Sequence, residues 1–175
     1  MRVEYVILVN SNDQPLGAME KMEAHEKGML HRAFSIFIFN SEGKLLMQRR
    51  AEEKYHSAGK WTNTVCSHPR TGEKTIDAAH RRLEEEMGFD CDIHEIYSFT
   101  YKAHVGDGMT EHEYDHVFVG HSDDLPDPDP DEVSEWKYVD LDWVIGDVKE
   151  NPGDYTIWFA KILDQAKHQL IQARI

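Results

Sequence analysis

Apolar residues fall along this chain in short runs divided by polar turns, and the runs predict strands more often than helices. Residues 3–10 (Val-Glu-Tyr-Val-Ile-Leu-Val-Asn) read as a buried strand, and Ser11 to Gly17 holds turn residues. Residues 19–29 are largely polar. His31 to Asn40 is rich in β-branched and aromatic side chains and predicts a second strand. Asn40-Ser41-Glu42-Gly43 turns it into Lys44–Arg49, the return strand of a hairpin. Arg50 to Lys60 is a charged loop. From Thr75 to Met87, Ile76, Ala79 and Leu83 line one side of a helix, and Gly88 suits the position after its end. Strands are expected over Cys91–Tyr101 and Glu113–His121, with Gly106-Asp107-Gly108 as a turn between them. Ser122 to Glu132 is acidic and punctuated by proline, so a solvated loop is expected. A short strand over Trp136–Val139 and a short helix over Leu141–Val148 follow. Thr156 to Arg174 is an amphipathic helix, with Phe159, Ile162, Leu163, Ala166 and Leu170 at helical spacing. Strands and helices mix without strict alternation, which favours α+β with a mixed sheet over a doubly wound fold.

Composition narrows the class. A chain of 175 residues with no repeat and no linker reads as one domain, residues 1–175. No apolar run approaches the ~20 residues that span a bilayer, and the first residues lack the pattern of a signal peptide. Two cysteines make no disulfide framework, so a cytoplasmic home is expected. The net charge of −14 disfavours nucleic acid and anionic membranes as partners. A small anion in a locally basic pocket stays open.

The chemistry concentrates between Gly59 and Gly88. Cys66 and His68 lie two residues apart, and a carboxylate-rich helix follows. Taken singly, a cysteine is most often a small core residue, and a run of glutamates a solvated face. Further on, Glu111 and Glu113 at i and i+2 of a strand point to one face and can share an ion. From Glu73, seven residues lead to Arg81-Arg82-Leu83-x-Glu85-Glu86-x-Gly88-Phe89, which resembles the Nudix box. In that motif, carboxylates one turn apart on a helix gather a hard cation that grips a diphosphate. Two positions depart from it: Ser67 replaces the first glycine, and Arg82 replaces a metal-binding glutamate. An arginine there repels a cation and welcomes a phosphate oxygen.

With Leu30-His31-Arg32-Ala33-Phe34-Ser35, Trp61-Thr62-Asn63-Thr64-Val65-Cys66-Ser67-His68-Pro69 and Glu111-x-Glu113, nearly the whole chain resembles the type 1 isopentenyl diphosphate isomerases. The resemblance implies a Nudix-like mixed sheet sandwiched between helices. It implies a metal site on His25, His31, His68, Glu111 and Glu113, a donor set suited to zinc or manganese. A magnesium ion held by Glu86 would bridge to the substrate diphosphate, which Lys21, Arg50, Lys54 and Arg82 would bind. Cys66 and Glu113, the latter assisted by Tyr101, would move protons. Trp158 would face the carbocation, and Trp61 would line the same cavity. The implied partner is a small isoprenyl diphosphate, and the protein a monomer or weak homodimer. The N-terminal segment bearing His25 and His31 has few apolar anchors and is expected to close on the metal.

Several residues take plainer readings. His56, His80, His94, His104, His112, His121 and His168 match no motif and are expected at the surface or in structural roles. His116 is expected to make a structural hydrogen bond, Glu84 to be solvated, Glu85 to rank below Glu86 as a ligand, and Trp136 and Trp143 to pack. The rival functions are a Nudix hydrolase, against which Arg82 and Cys66 argue, and a non-catalytic diphosphate sensor.

Overall fold

The run His31–Phe39 forms the central strand, β3, and all of it except Arg32 is buried. A computed structural model of the chain describes residues 3–175. Met1 and Arg2, where the segment read for a signal peptide begins, lie outside the described residues. Two cores explain why β3 shows no alternation. Phe34, Ile36 and Ile38 face one core, and Phe37 and Phe39 face the other. A strand covered on both faces reads as continuously apolar.

In chain order, β1 (Tyr5–Val9) and β2 (Pro15–Glu20) form an antiparallel pair, and α1 (Lys21–Lys27) leads into β3. Then come β4 (Leu45–Arg50), the short β5 (Trp61–Thr62) and β6 (Val65–Ser67), and helix α2 (Thr75–Met87). β7 (Ile93–Gly106) and β8 (Met109–His121) make a long hairpin, β9 (Val133–Val139) follows, and α3 (Leu141–Glu150) and α4 (Ile157–Ala173) end the chain. One edge of β3 pairs in parallel with β8 from His31↔Glu113 to Phe39↔His121. Its other edge is shared by β1, β6 and β4. The result is the expected mixed sheet between helices. Ala78, Ala79, Leu83 and Met87 of α2 close one core, and α3 and α4 close the other. The predicted apolar stripe of α4 is buried, joined by Trp158.

Several expectations are corrected. Strand β2 begins at Pro15, inside the stretch Ser11–Gly17 read as a turn, and residues 21–27, within the largely polar stretch 19–29, form a helix. β7 and β8 both extend toward their shared turn, which brings Glu111 into regular structure. Trp143 is 53% exposed and does not pack into either core. The acidic loop is more than solvated. The amides of Asp127 and Asp129 donate to the carbonyls of Met87 (2.8 Å) and Glu86 (3.0 Å), satisfying the C-terminal end of α2.

Gly88 makes that docking possible. It takes the left-handed conformation (φ 76°), its amide donates to the Glu84 carbonyl, and a Cβ there would press into the backbone of Asp127. Gly88→Ala is therefore expected to lower stability by about 2 kcal/mol or more, combining backbone strain with displacement of the loop. A urea titration checks this; an unchanged midpoint would show that the loop docks without the close approach.

Candidate metal centre and active site

The site begins with a seven-residue helix that sequence periodicity does not announce. The Glu20 side chain accepts hydrogen bonds from the amides of Met22 (3.0 Å) and Glu23 (2.8 Å), and Gly28 closes the helix in the left-handed conformation. This capped turn buries Ala24 and His25. His25 Nδ1 donates to the Lys21 carbonyl (2.6 Å), and His31 Nδ1 donates to that of Met29 (2.8 Å). A carbonyl only accepts, so Nδ1 of each ring carries a proton and Nε2 is the atom each ring turns into the cluster, where a bound cation would take its lone pair. Candidate ligand atoms of His25, His31, His68 and Glu111 lie within 4.8 Å of one another. Glu113 borders the same group, with its Oε2 2.8 Å from His68 Nε2 and 3.3 Å from His31 Nε2. All five expected ligands thus converge.

Two buried atoms of the cluster, His31 Nε2 and Glu111 Oε2, have no hydrogen-bond partner among the described residues. Buried polar atoms are nearly always satisfied, so the imidazole lone pairs and the bare carboxylate oxygen fit a divalent cation. Electrostatics agree. Burial pushes His68 down to about 4 despite Glu113 beside it, so its ring is neutral near pH 7. Burial also opposes ionisation of Glu113, but the imidazoles of His31 and His68 against it outweigh burial and hold the carboxyl well below its usual range. The phenol of Tyr101, the cross-strand partner of Glu113, donates to Glu113 Oε1.

The polar run before the thiol has a structural task of its own. Asn63 Nδ2 donates to the carbonyls of Ile36 (3.0 Å) and Val65 (2.9 Å), and Thr64 donates to that of Leu46 (2.6 Å). These clamps set β6 against β3, with Cys66 opposite Ser35. Cys66 Sγ donates to Asn63 Oδ1 (3.1 Å) and accepts from Trp158 Nε1 (3.0 Å). Burial, and then the nearby Asp115 carboxyl, push the thiol up to about 12, so it keeps its proton at neutral pH. Cys66, Glu113 and Trp158 line one tight cavity of about 30 Å³.

Cys66 also lines a second, larger cavity of about 330 Å³, a size usual for small-molecule sites. Lys21, Arg50, Lys54, Arg70, Arg81 and Arg82 surround it with positive charge. Arg50 Nε and Arg82 Nε are buried without hydrogen-bond partners, as suits donors awaiting an anion. Carboxylates balance the rest: Glu4 accepts from Lys21 (2.5 Å), and Glu132 accepts from Lys54 (2.6 Å) and sits 3.5 Å from Arg82. Glu86 is buried 3.6 Å from Arg82, and its Oε2 has no partner, which fits a cation. Glu85 is exposed and pairs with Arg82 (2.7 Å), while Glu73 braces Arg81 through two hydrogen bonds. The predicted diphosphate residues are therefore brought together.

Three residues differ from their expected places. Trp61 lines neither cavity; its ring carries the Lys137 ammonium at 4.2 Å on another face. Glu132, read as the end of a solvated loop, sits among the cations. His56, read as surface or structural, is 6% exposed and reaches Glu111 Oε1 at 2.6 Å. The sequence carried no periodicity to mark His56, because an irregular loop delivers it. His116 does take a structural role, bridging Asp13 (2.8 Å) and Glu95 (2.5 Å).

A mixed sheet between helices, with an Arg/Glu helix beside a cation-lined cavity, defines a protein of the Nudix class. The NUDIX domain family model matches residues 29–159. Among solved structures, the DR0079 protein of Deinococcus radiodurans aligns with a TM-score of 0.77 at 20% identity, covering 93% of this chain and 98% of that one. A MutT protein from Methanosarcina mazei Go1 aligns with a TM-score of 0.67 at 18% identity, covering 80% of this chain and 94% of that one. These likenesses show the fold. Two curated relatives are closer in sequence. Isopentenyl-diphosphate Delta-isomerase 2 of Aromatoleum aromaticum is 51% identical, with 93% of this chain and 86% of that protein covered. Its namesake in Photorhabdus laumondii is 50% identical, with 97% and 96% covered. The chain belongs to the isopentenyl-diphosphate Delta-isomerase family.

Proposed function

We propose that the protein interconverts isopentenyl diphosphate and dimethylallyl diphosphate by a metal-dependent 1,3-proton shift through a tertiary carbocation. The observation that carries this reading is the position of Cys66, which lines both the cation-rich cavity and the tight cavity shared with Glu113 and Trp158. The diphosphate occupies the first, and the five-carbon chain reaches into the second, parting Trp158 from the thiol as it enters. Lys21, Arg50, Lys54 and Arg82 hold the diphosphate, and Glu86 holds the magnesium ion that accompanies it. His25, His31, His68, Glu111 and Glu113 would hold zinc or manganese, which would supply positive charge to polarise the Glu113 carboxylate.

The chemistry is a transfer at each end of an allyl unit. A proton is added at C4, positive charge develops at C3, and a proton leaves C2. The reaction is reversible, so each proton-moving group is an acid in one direction and a base in the other. Cys66 and Glu113, the latter with the Tyr101 phenol on its carboxylate, are the two groups: with the thiol protonated and Glu113 ionised the site is set to give a proton to C2 and take one from C4, and the opposite direction starts from the thiolate with the proton on the Glu113–Tyr101 pair. We assign Glu113 and Tyr101 to C4 and Cys66 to C2. The Trp158 face stabilises the cation, an effect worth about 2 kcal/mol in a desolvated pocket. That ring already carries the Arg50 guanidinium at 5.1 Å. A working Cys66 must be a free thiol, as it is here, which suits the cytoplasm.

Incubation with magnesium and isopentenyl diphosphate in deuterated water tests the proposal. Deuterium in recovered dimethylallyl diphosphate is the expected result. Release of phosphate would instead identify a hydrolase, and recovery of unlabelled starting material a binding module.

A further inference from the structure

We propose that His56 is a positioning residue of the metal centre. It holds Glu111 by one carboxylate oxygen, so that the other is presented to the cation. The inference rests on reading His25, His31, His68, Glu111 and Glu113 as a metal site.

In His25 and His31, Nδ1 is occupied by a main-chain carbonyl and Nε2 is turned into the cluster. His56 differs in its other nitrogen and in its place: its Nε2 faces Glu111 Oε1 at 2.6 Å, as that of His25 does at 2.7 Å, but its Nδ1 lies 3.1 Å from the Ser57 hydroxyl. A carboxylate only accepts, so His56 Nε2 carries a proton and Nδ1 accepts from Ser57. The candidate ligand atoms that lie within 4.8 Å of one another belong to His25, His31, His68 and Glu111, and His56 stands outside that group as a donor to one of its members.

Glu111 shows the consequence. Its Oε1 meets both His25 Nε2 (2.7 Å) and His56 Nε2 (2.6 Å), while its Oε2 is buried and unpartnered. Once His25 Nε2 turns to a cation, His56 is the remaining partner of Oε1 and fixes the carboxylate plane. Such outer partners set ligand orientation, and their loss typically weakens metal binding by about 10–100-fold.

The surroundings of His56 are built to keep the ring there. Its edge packs on Trp158 (centroids 5.5 Å, planes at 77°), and its carbonyl accepts from the Arg50 guanidinium (3.1 Å). Ser57 adopts a left-handed backbone (φ 53°), costly for a residue other than glycine, which turns the loop at this point. One loop residue thus ties the Glu111 carboxylate to the pocket tryptophan and to an arginine of the anion cavity.

The test is competition between the full-length protein and a chromogenic chelator for zinc, with the absorption spectrum of the cobalt-loaded protein alongside. His56→Ala is expected to weaken zinc binding about 10–100-fold and to change the cobalt spectrum. His56→Gln, whose amide can donate to Glu111, is expected to recover most of both. Urea unfolding of each metal-free variant separates a loss of fold from a loss of metal affinity. Unchanged zinc affinity in folded His56→Ala would overturn the proposal, leaving only packing. If Ala and Gln both lose as much affinity as His25→Ala, His56 is itself a ligand, which also overturns it. If His25→Ala binds zinc as tightly as the unaltered protein, the metal-site reading has failed instead.

Discussion

Cys66→Ala binds isopentenyl diphosphate as before and turns it over about a thousandfold more slowly or worse. General acid–base groups contribute about 10²–10⁴ each, and an unactivated alkene offers no easy substitute path. The cations proposed to hold the diphosphate are Lys21, Arg50, Lys54 and Arg82, none of which depends on the sulfur, so the loss is expected to fall on kcat and to leave KM nearly unchanged. The folded state pays little. Trp158 Nε1 loses its acceptor and Asn63 Oδ1 keeps Thr62, so the cost is that of about one hydrogen bond, roughly 1 kcal/mol. Calorimetric titration with substrate, a single-turnover assay and a urea titration separate these quantities. A kcat within tenfold of the unaltered enzyme would remove Cys66 from the chemistry and leave Glu113 with Tyr101 as the sole proton-moving pair.

Stripping divalent metal with a chelator abolishes turnover, and restoring zinc or manganese recovers it. Three imidazole lone pairs and two carboxylates converge within one buried volume, and neutral His68 does little to offset the negative charge. A bound cation removes that conflict, so reloading also stabilises the fold. At a free metal concentration one hundred times Kd the gain is about 2.7 kcal/mol. For a chain of this size that raises the melting temperature by roughly 5–10 °C. His31→Ala is expected to lose both the activity and most of this metal-linked gain in melting temperature. Full activity after exhaustive chelation, verified by elemental analysis, would refute the metal-dependent reading.

What the sequence could reveal follows from periodicity and reach. β3 and α4 announced themselves because long apolar patterns leave little choice of structure, and the buried stripe of α4 is the predicted one. The thiol and the two glutamates of β8 were legible because their motifs lie on regular elements, and His68 because it follows Cys66 by two residues, just past the end of β6. α1 was not, because it is held by the Glu20 cap and the Gly28 turn and has almost no apolar face. Nor were His56 and Glu132, which arrive from loops whose path is set by tertiary contacts. Trp61 misled for the converse reason: it is close to Cys66 along the chain but sits on a different strand, β5, which pairs with β4, whereas β6 pairs with β3. Trp143 misled by size; a large ring at helical spacing still stands outward when its turn of helix does.

The parallel ladder joining β3 to β8 aligns His31 with Glu113 across about eighty residues of intervening chain. Side chains alternate from face to face, so a slip of one residue would send Glu111 and Glu113 to the wrong side and thread Tyr114 or His112 into their place. Such a misaligned chain also exchanges Val117 and Val119 with Phe118 between the two cores, and it has no cage for a cation. Divalent ions present during refolding are therefore expected to act as proofreaders, rewarding only the molecules in which His31 and Glu113 have met in step.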